Sequence, residues 1–153
     1  MKIWVDADAC PGAVRDIVIS AAVKRAVEAV FVANRKLTFP ETPFISFQQV
    51  AMGPDVADQV IAMEAQVGDL VITQDIPLAH ILVTNGVSAI SPRGVIFCPD
   101  NIGERLSVRD LMQELRDTGE MTGGPKQFGD KEKRAFASAF DRELTRLLRL
   151  RPK

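Results

Sequence analysis

Apolar positions along this chain come in two rhythms that alternate. Ile3-Trp4-Val5 within Lys2–Asp6, the β-branched run Val27–Ala33 and Leu70–Thr73 are short and nearly continuous, which predicts strands buried on both faces. Between the first two, Val14, Ile17, Val18, Ala21, Ala22 and Arg25 recur at three- and four-residue spacing. That stripe predicts a helix of about four turns, opened by Pro11, whose fixed φ and missing N–H suit a first turn. Residues 34–43 hold two prolines and read as a loop before a further strand at Phe44–Val50. Gly53-Pro54-Asp55 reads as a turn into a helix through Ala65 that carries Val56, Val60, Ile61 and Glu64. Gly68-Asp69 breaks the chain ahead of Leu70. A short helix over Ile76–Thr84 ends at Asn85-Gly86, a good C-terminal stop. Val87–Ile90 and Val95–Phe97 then read as short strands around the turn Ser91–Gly94.

Beyond Cys98 the pattern becomes helical. Asn101 with Glu104 forms a capping box for a helix to Asp117, and the glycine-rich stretch 118–130 reads as a loop. Phe136, Phe140, Leu144, Leu147 and Leu148 mark an amphipathic helix whose outer face carries Lys133, Arg134, Arg142, Arg146 and Arg149. Strands alternating with helices, without strict period-two patterning, predict a three-layer α/β fold with a mainly parallel sheet covered on both faces. The expected organisation is a single domain over 1–153, with an α/β core at 1–100 and a helical extension at 101–153 packed on it.

Composition narrows the class of protein. The chain has 153 residues, 46% hydrophobic and 25% charged, which excludes a disordered or low-complexity polypeptide. No apolar run approaches the roughly 18 residues of a membrane span. With a carboxylate already at position 6, the first residues are not expected to act as a signal peptide. Cys10 and Cys98, each followed by proline, are too few for a disulfide framework and make no zinc pattern with the single histidine, His80. The expectation is a reducing, cytoplasmic protein. Within a net charge of −1, residues 1–100 carry seven Lys and Arg against eleven Asp and Glu, whereas residues 126–153 carry nine against four. An acidic body with a basic end accommodates a metal site together with a phosphate-backbone contact.

The acids fall where such a site would lie. In an open parallel sheet, ligands bind beyond the carboxyl ends of the strands. Asp6 ends the first strand, Asp8 follows it, Asp75 lies two residues past Thr73, and Asp55 and Asp58 share a face at a helix start. Carboxylates without His or thiolate partners suit Mg²⁺ or Mn²⁺. Helix capping alone would also bring Asp8, Asp55 and Asp75 to this edge. It explains neither Asp6, at a strand end, nor Asp58, inside a helix.

The segments Asp6-Ala7-Asp8-Ala9-Cys10-Pro11, Asp55-Val56-Ala57-Asp58, Val71–Ala79, Pro92-Arg93-Gly94, Asn101-Ile102 and Gly124-Pro125 resemble the bacterial YaiI/YqxD family over nearly the whole chain. That family is grouped by fold with PIN-like and NYN-type nuclease domains. The resemblance implies that Asp6, Asp58 and Asp75 hold metal and serve catalysis, with Asp8 and Asp55 as auxiliary ligands and Thr73 holding a carboxylate or a metal-bound water. It also implies phosphodiester hydrolysis, of RNA in preference to DNA. Those nucleases place another Asp shortly after the third acid, where this chain has Ile76-Pro77-Leu78. That departure favours an alternative, a module that keeps the fold and binds nucleic acid or protein without catalysis. Asp6-x-Asp8 also admits a haloacid-dehalogenase-like phosphohydrolase, more distantly, because Cys10 stands where that family has Thr or Val and no lysine occurs between 37 and 125. Arg134, Arg142 and Arg146, with Arg35, Lys36 and Lys126 behind them, form the expected nucleic-acid surface. With no tyrosine and 6% aromatics, backbone charge rather than base stacking on an exposed platform should dominate there. Cys10 and Cys98 read as buried small hydrophobes, His80 as a packing residue, and no glycine-rich phosphate loop is present.

Overall fold

A computed structural model describes residues 1–53, 56–98 and 128–150. The expected helix Asn101–Asp117, the stretch 118–127, Lys126 and Asp55 lie outside them. The elements are β1 (Lys2–Asp6), α1 (Gly12–Arg25), β2 (Glu28–Ala33), β3 (Ile45–Gln49), α2 (Val56–Glu64), β4 (Leu70–Ile72), α3 (Ile76–Thr84), β5 (Ser88–Ile90), β6 (Ile96–Phe97) and α4 (Asp130–Leu150). The six strands form one sheet in the order β3-β2-β1-β4-β5-β6. All neighbours run parallel except β5 and β6, which are antiparallel because the turn at Ser91–Gly94 is too short for a crossover. The expected class, three-layered and Rossmann-like, is the observed one.

Strand alternation divides the interior into two cores. Ile3, Val5, Phe31 and Ile72 face α1 and α4, where they meet Val14, Val18, Phe136 and Phe140. Trp4, Val30, Val32 and Val71 face α2 and α3, where they meet Ile61, Leu78 and Leu82. Each large side chain buried this way contributes about 1.5–3 kcal/mol. β2 and β3 are parallel yet joined without a helix; Phe39 from the loop covers them instead, its ring 4.5 Å from Phe31 and 5.5 Å from Phe47.

α4 lies beside α1, tied to it by Arg25, whose Nη1 donates to Thr145 Oγ1 at 2.9 Å. Its start is held at the carboxyl edge by the turn after β5. Gly94, at φ 89°, lies so close to α4 that a Cβ would stand 2.6 Å from the backbone of Ala135. Only glycine meets both demands. The end of α4 reaches the opposite edge, where Arg146 Nη2 donates to Ser88 Oγ at 3.1 Å. Among the described residues no helix is long and apolar enough to cross a membrane.

Candidate active site

Strand order reverses direction between β1 and β4. The chain leaves β1 through α1 toward β2 and leaves β4 through α3 toward β5, so the two loops part and open a crevice at the carboxyl edge. Asp6 closes β1 on one side of it, and Thr73 and Asp75 follow β4 on the other. The first turn of α2 brings Asp58 to the same place.

These groups touch. Thr73 Oγ1 donates to Asp6 Oδ2 at 3.3 Å and accepts the Asp75 N–H at 3.0 Å, so one hydroxyl links both strand ends. Asp58 is within hydrogen-bonding reach of Asp6. Asp6 is 8% exposed, and its pKa is pushed up to about 6. Desolvation is the main cause; the Thr73 hydrogen bond opposes it, and the charges of Asp75 and Asp8 reinforce it.

Helix capping and the acid cluster divide the remaining aspartates. Asp75 caps α3 as expected, its Oδ1 accepting the Leu78 N–H at 2.8 Å. Asp8 does not cap α1, whose N-cap is Pro11 without a side-chain bond. It accepts the Asn34 N–H at 2.7 Å and pairs with Arg35 Nε at 3.6 Å, fastening the loop after β2 to the loop after β1. The structure thus brings together Asp6, Asp58, Thr73 and Asp75, with Asp8 near enough for its charge to act on Asp6. Among the described residues, no three acidic, histidine or cysteine side chains converge closely enough to form a ready-made cation cage.

The expected arginines do not gather at these acids. Arg134 is exposed in the first turns of α4, at the end held by Gly94. Arg146, about 18 Å further along the helix, is engaged at the far edge of the sheet. Its Nη2 donates to Glu143 Oε2 at 2.8 Å as well as to Ser88. Arg142 is exposed between the two. Cys10 is buried as expected, and desolvation pushes its thiol up to about 12, far from a reactive thiolate. Two expectations are corrected: Cys98 is only half-buried, and His80 is exposed on α3 rather than packed, because it falls on the face of that helix away from Leu78 and Leu82.

A cleft runs from the acids between α2 and α3, about 390 Å³ in volume, lined by Asp58, Gln59, Ala62, Asp75, Pro77, Leu78 and Ile81. Sequence patterning hid it, since apolar residues on two neighbouring helices read as core.

The chain belongs to the family described as "Uncharacterized BCR, YaiI/YqxD family", whose model matches residues 4–146. It is 55% identical to a UPF0178 protein of Myxococcus xanthus over 153 residues, the full length of both chains. It is 54% identical to one of Desulfotalea psychrophila over 147 residues, 96% of this chain and 99% of that one. A UPF0178 protein of Syntrophobacter fumaroxidans is 47% identical over 98% of each chain. No solved structure matches. Neither the family description nor these names carry an activity.

Proposed function

We propose that the carboxyl-edge cluster hydrolyses phosphodiester bonds of RNA with the help of Mg²⁺ or Mn²⁺. The observation behind this reading is the buried Asp6 carboxyl, bonded to Thr73 and set beside Asp58 and Asp75 at the switch point of the sheet. Burial and neighbouring like charge make ionising Asp6 costly, and a bound cation would offset that cost. The donors, all oxygens, fit a hard one. Asp6, Asp58 and Asp75 would hold it, with Asp8 as an auxiliary group; Asp55 lies outside the described residues. Among the described residues no three of the acids already converge, so they would draw together around the ion, with Asp6 ionised.

When bound, such an ion polarises a phosphoryl oxygen and lowers the pKa of a water that attacks in line. The chain's own part is orientation. Thr73 fixes Asp6 Oδ2 while the Asp75 N–H fixes Thr73, and the cap on α3 fixes Asp75. Arg134, Arg142 and Arg146, strung along α4, would attract phosphates of a strand lying outside the crevice. The choice of RNA rests on the resemblance to PIN-like and NYN-type domains.

One observation favours a second reading, a binding module without catalysis. Asp75 already commits Oδ1 to its helix, and no acid follows it. The two readings separate on Mn²⁺-dependent cleavage of a labelled single-stranded RNA. The hydrolase reading expects cleavage by wild type and at least about a 100-fold loss in Asp58→Asn with RNA binding retained. Wild type without cleavage, with binding removed by Arg142→Glu, would favour the module.

A further inference from the structure

We infer that the cleft between α2 and α3 receives one unpaired base of the strand whose backbone lies at the acids; this rests on the proposed hydrolase reading and names the form of its substrate. The cleft is continuous with the cluster, because Asp58 and Asp75 line both. Its volume, about 390 Å³, falls within the range of small-ligand sites. Leu78, 3% exposed, forms its floor, and Pro77 and the 47%-exposed Ile81 stand at its rim.

Charge decides the occupant. Among the described residues no cation lines the cleft and two carboxylates do, which disfavours the phosphate backbone inside it. The uncharged part of a nucleotide is its base, which is flat and apolar on its faces and carries N–H groups on its edge. Pro77 and Ile81 offer an aliphatic surface to such a face. The exposed amide of Gln59 offers both a donor and an acceptor to its edge. A base inside a duplex must leave its stack to enter, so the cleft selects single strands.

The test is a nuclear magnetic resonance titration in Mg²⁺ with adenosine and uridine 5′-monophosphate, against ribose 5-phosphate as the probe that lacks a base. The nucleotides should shift the amide and methyl resonances of Ala62, Leu78 and Ile81 saturably, and ribose 5-phosphate should leave them in place. Ile81→Ser, at an exposed position, should remove that aliphatic surface and weaken nucleotide binding about tenfold without moving the unfolding midpoint. Equal shifts from ribose 5-phosphate, or none from the nucleotides, would overturn the inference in the wild-type protein alone. The cleavage assay distinguishes the two claims. Nucleotide shifts without Mn²⁺-dependent cleavage would leave the base site standing and remove the hydrolase. Cleavage with an undisturbed cleft would do the reverse.

Discussion

Two aspartates of this protein are buried almost equally, at opposite edges of the same sheet, and their surroundings differ in kind. Asp69, 7% exposed at the amino edge, accepts three N–H groups: Lys2 N at 2.9 Å, Trp4 Nε1 at 3.0 Å and Gln66 N at 3.0 Å. Asp6, 8% exposed at the carboxyl edge, accepts the Thr73 hydroxyl at 3.3 Å and has the carboxyls of Asp8, Asp58 and Asp75 near it. One carboxylate is satisfied by the fold, and the other is held against the fold's own preference. Local rules of burial are kept at structural sites and broken at functional ones. The difference is why the proposed chemistry is assigned to the carboxyl edge.

Substitutions at the two positions should have opposite signs. Asp69→Ala leaves two main-chain N–H groups and the Trp4 indole without their acceptor, and should cost about 3–5 kcal/mol in denaturant unfolding. Asp6→Asn should stabilise at neutral pH. Because the folded pKa of about 6 lies above the ordinary value of 3.8, the native state holds a proton that the unfolded chain has lost between those values. Wild-type stability then falls as pH rises through that window and levels off above it. The Asn variant escapes this loss, so its advantage should be absent at pH 4 and reach up to about 3 kcal/mol above pH 6. An advantage independent of pH would refute the assignment.

Thr73→Val sharpens the contrast by removing the one hydroxyl that Asp6 has. It should cost about 1–2 kcal/mol and push the Asp6 titration, followed by carboxyl chemical shift, above its wild-type value. The smallest effect should come from Glu28→Gln. The Lys2 ammonium meets Glu28 at 4.0 Å with both side chains exposed, and losing that pair should change stability by less than about 0.5 kcal/mol. The main-chain N–H of the same Lys2 anchors Asp69, so one residue supplies both a strong and a negligible interaction.

Much of this was legible in the sequence wherever local chemistry decides the outcome. α3 begins and ends where the pattern puts it, because Asp75 caps its start and Asn85-Gly86 stops it. β1 has its expected bounds, and Asp6 and Asp75 follow from strand ends in a parallel sheet, whereas the part of Thr73 came from the family resemblance. Asp58 needed the family resemblance as well, since a helical aspartate has no intrinsic address. Contacts between distant segments were not legible. Asp8 bonds the backbone of Asn34, 26 positions away, so its departure from capping leaves no trace near Pro11. Asp69 reads locally as a turn residue, although its acceptor role depends on β1, 65 or more positions earlier. The nearness of Gly94 to Ala135, across the long stretch before α4, belongs to the same class.

The central claim is that the Asp6 cluster is a divalent-cation site, and thermal unfolding with and without millimolar Mn²⁺ tests it most directly. A cation at about 100 times its dissociation constant should stabilise the native state by about 2.7 kcal/mol, several degrees for a chain of this size. The account predicts that shift in wild type and in Glu28→Gln, larger at pH 7.5 than at pH 5.5, where Asp6 keeps its proton, and no shift in Asp6→Asn. An equal shift in Asp6→Asn, or none in wild type, would contradict it.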